Sequence, residues 1–365
     1  MLRFARLCLG DRCAGEIRTI APQRAIIRKA LFALLLFFST ALAQAPKVPD
    51  LLREGQGALD SGDFARAVRA FEQARELAPE NLEANRGLVL SCLQGGQLRR
   101  SQEIGQAAVA RWPKDPRLQH WLGLVYFKTS QNAEALTSLR ESAVLDPKQY
   151  DVFFDMALVL LSESNYPEAA TQLEKAIKLD PTAALPHVLL GRAYQNTNRT
   201  LEAVQQFQIA LRIDPNVALG HYHLGFAYSS LGRNAEAIGE YEKELQHSLN
   251  NPLVLYQLGH RQLEAGDLKP AIDHLRKATE IDPNSEDACY DLGKAILLQG
   301  DAEGATAPLR RAIELKPTDP SPHYQLARAM QKLGKNEEAK QELETFATLK
   351  RAQPVTGGMA SGPIQ

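Results

Sequence analysis

The chain has 365 residues, of which 44% are hydrophobic and 23% charged, with 42 basic side chains against 43 acidic ones. These values are ordinary for a soluble protein, and without a Lys/Arg block they exclude an electrostatic footprint for nucleic acid or an anionic membrane. Aromatic residues make up only 7%, no sustained run alternates Val, Ile or Thr with polar residues, and Ala, Leu, Glu, Gln, Lys and Arg dominate from residue 50 to 350. That pattern predicts an all-helical protein.

The first predicted element stands apart. Arg24, Arg28 and Lys29 precede the apolar stretch ALFALLLFFSTALA, residues 30–43, which closes on Ala41-Leu42-Ala43 before Gln44. Residues 1–43 are therefore expected to form a secretory signal peptide with a long basic leader, cleaved near Ala43. Residues 44–47 would be a short linker, and the mature chain would be exported to a periplasm or secreted. The stretch is shorter than the roughly 20 residues a spanning helix needs. An N-terminal membrane anchor is the lesser reading, beside an organelle transit peptide or a start codon placed too early. Cleavage removes seven basic and two acidic residues, leaving 35 against 41 and a net charge near −6. Cys8 and Cys13 leave with it, and the remaining Cys92 and Cys289 are too far apart in sequence for a disulfide framework or a zinc spacing.

From residue 48 onward the sequence has a fixed period. Pro79, Pro113, Pro147, Pro181, Pro215, Pro283 and Pro317 fall at multiples of 34. In phase with them run Gly55, Gly123, Gly191, Gly225, Gly259 and Gly293, with Val89, Ala157 and Ala327 in the remaining places, and a small series from Ala67 through Ser101 and Ala135 to Ala339. Nine units fit, starting at Val48, Leu82, Pro116, Tyr150, Ala184, Ala218, Pro252, Glu286 and Pro320. Units such as HYHLGFAYSSLGRNAEAIGEYEKEL (residues 221–245) and PHVLLGRAYQNTNRTLEAVQQFQIALRIDP (residues 186–215) resemble the tetratricopeptide repeat, with its leucine-glycine pair, tyrosine, alanine, aromatic, alanine and proline. The resemblance covers residues 48 to about 351. It implies an all-α, right-handed superhelical solenoid of about nine helix-turn-helix repeats.

The residues support hairpins on their own terms. Apolar residues recur at i, i+3, i+4 and i+7 in a first helix. A turn at Gly62, Gly96, Gly232, Gly266, Gly300 or Gly334 then leads into a second apolar stripe. A helix of about a dozen residues is marginal alone, so stacking must supply the core. Glycine within a helix costs about 1 kcal/mol relative to alanine, so the glycine series implies close approach of two helices, with the alanine series expected opposite it. The apolar residue before each Asp-Pro, as in IKLDP and LRIDP, is expected to pack the last helical turn, and proline to bar the aspartate from helical geometry. Leu249 replaces the proline of one unit, where Asn250 and Asn251 are expected to provide an alternative turn through the left-handed conformation. KNEEAKQELETFATLKR, residues 335–351, reads as a charged terminal cap, and residues 352–365 as a disordered tail.

In the repeat family the fifth, ninth and twelfth residues of each unit face a concave groove that takes extended peptides or helices. In the second to fourth units these places hold Leu90, Leu93, Leu124, Phe127, Phe154, Leu158 and Leu161. In the last four units the fifth residue is Tyr222, Tyr256, Tyr290 or Tyr324 and the ninth Phe226, His260, Lys294 or Arg328. Arg192 and Lys332 add cations. Aromatic faces beside cations on an acidic chain fit a partner segment with apolar anchors and acidic groups or a terminal carboxylate. The two-carboxylate clamp of chaperone-binding members needs asparagine at the ninth place, and none occurs there. His187, His221 and His323 share the fourth, core-type place and are expected to be packed rather than to bind metal.

The sequence has no H-E-x-x-H, no phosphate loop and no G-x-S-x-G elbow. No cofactor is implied. The reading is an exported, non-catalytic scaffold or adaptor for protein or peptide partners of the cell envelope or secreted components. A self-associating structural module and a regulatory subunit of an envelope enzyme are the alternatives.

Overall fold

The computed structural model describes residues 47–352. The expected signal peptide, all but the last residue of the expected linker, and the tail after residue 352 lie outside the described residues. Among the described residues every regular element is an α-helix. The chain forms two compact units, Met1–Gln97 and Leu98–Gln365. The first contains α1 (Val48–Asp60), α2 (Phe64–Leu77) and α3 (Leu82–Gln94). The second contains α4 (Leu98–Arg111), α5 (Pro116–Lys128), α6 (Asn132–Leu145), α7 (Tyr150–Ser162), α8 (Tyr166–Leu179), α9 (Ala184–Asn196) and α10 (Thr200–Ile213). It continues with α11 (Gly220–Ser230), α12 (Asn234–His247), α13 (Pro252–Ala265), α14 (Leu268–Ile281), α15 (Glu286–Gln299), α16 (Ala302–Leu315), α17 (Pro320–Lys332) and α18 (Asn336–Ala352).

All but one of the predicted unit starts are the first residue of a helix. The exception is the sixth unit, where α11 begins at Gly220 rather than Ala218. Leu219 before it takes a left-handed φ of +57° and provides no side-chain cap. Glu244 on α12, only 5% exposed, supplies the missing acceptor by taking the Tyr222 N–H at 3.1 Å.

The helix stops follow the proline logic and add to it. Asp146, Asp180 and Asp214 end their helices with φ between −134° and −143°, as the residue before proline must. Each carboxylate also accepts the N–H two residues on, from Lys148, Thr182 and Asn216, which ties the turn down. The hydroxyl and N–H of Thr182 hold the Asp180 carboxyl below its ordinary value. The preceding apolar residue does not pack the last turn. Leu179, Ile213 and Ile281 are 39%, 36% and 44% exposed. The packed residue is the alanine three places earlier, Ala176, Ala210 or Ala278, whose carbonyl also accepts the aspartate N–H.

The hairpin turns reuse one backbone device. The six turn glycines named above have φ from +73° to +106°, and the corresponding Ser130, Ser164 and Asn198 take +57° to +60°. Only glycine enters that region without cost. The Leu249 turn works differently from expectation. No residue from 248 to 251 is left-handed; instead Asn251 caps α13 by accepting from the N–H groups of Leu253 and Val254.

The glycine series is explained by close approach, with a change of partner. A β-carbon on Gly191 would stand 2.5 Å from Phe207 Cε1, on Gly225 2.8 Å from Tyr241 Cε1, and on Gly293 2.6 Å from Leu309 Cγ. The large side chain four residues after each alanine, not the alanine side chain, fills the space the glycine leaves. The alanine contributes its carbonyl, 3.2 Å from the β-carbon position at Gly123, Gly225 and Gly259. All members of the alanine series are fully or almost fully buried. In the second unit each helix packs on its chain neighbours, and first helices touch the next first helix: α5 on α7, α9 on α11, α13 on α15 and α15 on α17. That second layer of contacts gives the first helices a shared face.

Candidate functional site

The apolar part of the predicted face is half structural. In the first unit Leu90 is half-buried and Leu93 buried. In the second unit Leu124, Phe127, Phe154, Leu158 and Leu161 are all half-buried. Phe154 and Leu161 pack against the core on both sides, and Phe154 stacks on Tyr150 with ring centroids 5.8 Å apart. Their inner edges belong to the core, and their outer edges remain on the face.

The tyrosines divide in the same way. Tyr222, Tyr256 and Tyr290 are half-buried, and burial pushes all three phenols above their ordinary value, so they stay neutral hydrogen-bonding groups. Tyr222 lies 5.2 Å from the His223 ring and 6.0 Å from Tyr241. Tyr324 stacks on Phe346 of α18 at 5.2 Å and keeps 42% of its surface exposed. Phe226 is 41% exposed, an apolar surface that packing leaves open.

The cations separate into two kinds. His260 is held internally: its Nδ1 is 2.5 Å from Asp291 Oδ2 and its Nε2 3.7 Å from Glu264 Oε1. Arg328 donates to Gln325 at 3.0 Å, and Lys332 reaches the Leu297 carbonyl at 3.5 Å. Arg192, exposed, and Lys294, half-buried, have no side-chain ion pair among the described residues. Arg328 and Lys332 meet only neutral oxygens, so four cations of the predicted set keep their charge for a partner, and Arg192 and Lys294 have the fewest contacts of their own.

The sequence reading passed over the sixth place of the first helices. Asp155 pairs with His120 at 2.6 Å and Asp291 with His260, each joining one hairpin to the next. The available signal was a histidine on one first helix followed by an aspartate on the next, 35 or 31 residues later. The fourth-place histidines are packed as expected. Nδ1 of His187, His221 and His323 lies 2.6 to 2.7 Å from Gln206, Glu240 and Glu342, each 19 residues further on. Burial pushes the Cys92 thiol up to about 11, and the Cys289 thiol is raised for the same reason. Neither is prepared for nucleophilic attack. Among the described residues no group of three or more His, Cys, Asp or Glu side chains is placed to hold a metal ion. None of the described helices is long and apolar enough to cross a membrane.

Comparison with known families agrees with this architecture. A model described as tetratricopeptide repeat matches residues 52–116, 93–151 and 188–250, and one described as TPR repeat matches 159–198. A third, described as anaphase-promoting complex, cyclosome, subunit 3, matches 264–346. The chain belongs to the tetratricopeptide repeat proteins, and its fold is an all-α solenoid of helix-turn-helix repeats. No curated protein matches the sequence. Among solved structures, a chain of the APC/C hetero-tetramer Cut9-Hcn1 is 18% identical, with a TM-score of 0.51 over 84% of this chain and 60% of that one. YrrB, a TPR protein described as having an unusual peptide-binding site, is 22% identical and has a TM-score of 0.47 over 50% of this chain and 93% of its own. MamA is 22% identical, with a TM-score of 0.43 over 44% of this chain and 95% of its own. At these identities the likeness concerns the fold alone. The fold points to protein–protein interaction.

Proposed function

We propose that this chain is an exported, non-catalytic adaptor that binds an acidic, apolar-anchored segment of a partner along the shared face of its first helices in the second unit. The observation that carries this reading is the pairing of exposed apolar surface with unspent charge: Phe226 is open, and Arg192 and Lys294 have no ion pair among the described residues. Desolvating such a cation is favourable only when a partner supplies an anion. The partners would be secreted or envelope components under assembly, in keeping with the signal peptide expected before Gln44.

The test uses Phe226→Ala with Lys294→Ala, side chains with no ring contact or ion pair among the described residues. Partners captured from the exported fraction by the wild-type chain and identified by mass spectrometry would be titrated as purified proteins. Affinity should fall at least tenfold in the double variant with its circular dichroism melt unchanged; equal affinity would sink the assignment of this face. Self-association is the second reading, favoured by exposed aliphatic residues at the edge between units, among them Leu179, Leu185, Leu249 and Leu253. Sedimentation velocity of the same samples separates the two, because self-association must grow with concentration in the absence of any partner. Export has its own check: the N-terminus of the secreted chain should be Gln44 or a close neighbour, and retention of residues 1–43 would overturn it.

A further inference from the structure

The boundary between the fifth and sixth hairpins carries a cleft that the proposed partner face does not use. It is an open depression of about 360 Å³ between α10, α11 and α12. Its α11 residues, His221, Leu224 and Tyr228, are the fourth, seventh and eleventh of their unit. At roughly 100° per residue they lie about 130° around the helix from the fifth, ninth and twelfth.

The floor of the cleft is apolar, formed by Leu211, Leu224 and the ring of Tyr228. Gln208 fixes that ring by donating to its hydroxyl at 3.0 Å. The charge of Glu240 is balanced by Lys243, and its second oxygen is held by His221. Oε2 is 2.6 Å from His221 Nδ1, and Oε1 accepts from Lys243 Nζ at 2.8 Å. The Glu240 side chain is only 13% exposed while Lys243 is 53% exposed, so the ammonium keeps N–H groups free at the rim. Arg212, also exposed, has no ion pair among the described residues. The cleft therefore combines apolar lining residues, a Glu240–Lys243 ion pair that keeps N–H groups free at the rim, and one unpaired cation, Arg212.

We propose that this cleft binds a carboxylate attached to a compact apolar group. Arg212 offers the unpaired charge and the paired N–H fork that match a carboxylate, Lys243 adds a second donor, and Leu211, Leu224 and Tyr228 face the apolar group. A peptide C-terminus and a free short-chain acid share this chemistry, and the probes distinguish them.

The experiment titrates the full-length chain with N-acetyl-leucine, N-acetyl-leucinamide and hexanoate, followed by ligand-observed NMR. N-acetyl-leucine should bind in the millimolar range, and the amide, which lacks only the charge, at least fivefold more weakly. Hexanoate matching N-acetyl-leucine would identify the source as a free acid, and hexanoate lagging behind it a peptide end; either supports the carboxylate site. Arg212→Gln with Lys243→Gln should weaken the better carboxylate at least tenfold, while Phe226→Ala with Lys294→Ala should leave it unchanged. Equal binding of acid and amide, no binding of either acid, or affinity untouched by the Arg212/Lys243 variant would overturn the proposal without bearing on the partner face.

Discussion

Phe207→Ala should lower the stability of the second unit by about 3–5 kcal/mol, the range for deleting a buried phenylalanine ring. Phe207 is fully buried, and it fills the gap that Gly191 opens between α9 and α10. The ring belongs to a buried cluster that also holds Leu190, Ala193, Ala203 and Ala210. The reciprocal change, Gly191→Ala, places a methyl group against the ring and should cost about 1–3 kcal/mol by overpacking. Combined, the two should cost less than their sum, because the new methyl occupies part of the space the ring vacates. Urea unfolding followed by circular dichroism measures all three. Additive losses would mean that glycine and phenylalanine do not share one space.

His260→Ala should cost about 3 kcal/mol, far more than truncating an exposed side chain of the predicted partner face. Removing the imidazole leaves the carboxyl group of Asp291, 3% exposed, buried without its hydrogen-bond partner, and a single partner removed from a buried pair is the costly case. His260→Gln retains an N–H that can reach Asp291 and should recover most of the loss. A neutral His260→Ala would mean that Asp291 is solvated in solution. If His260→Ala also weakens partner binding, the effect is to be read against the melting curve, which is why Phe226 and Lys294 carry the functional test instead.

The repeat, its phase and nearly all helix starts were legible because three residue classes kept one period and each has a single physical reason: proline stops a helix, glycine admits a close neighbour, and alanine fills a tight contact. What escaped were features whose cause lies one hairpin away. The exposure of Leu179 and Ile213 cannot be read from the residues beside them, since it depends on where the next first helix lands. The histidine pairs of Asp155 and Asp291 join residues from successive hairpins, so no pattern within a unit announces them. The late start of α11 reflects Leu219 turning left-handed with Glu244 as a substitute cap, an arrangement that depends on α12 as well as on the local sequence. The proposed face follows from position in the repeat, whereas which of its cations lack an ion pair follows only from the contacts.

α18 buries only Ala339, although other side chains, such as Phe346, pack partly against α17. In a stack whose helices touch only near neighbours, cohesion is local, and the end helix holds on through a single interface while those before it have two. The second unit is in this respect like a zip whose last teeth are the easiest to part. Amide hydrogens of α18 should therefore exchange faster than those of the hairpins packed on both sides, as hydrogen exchange followed by mass spectrometry would read.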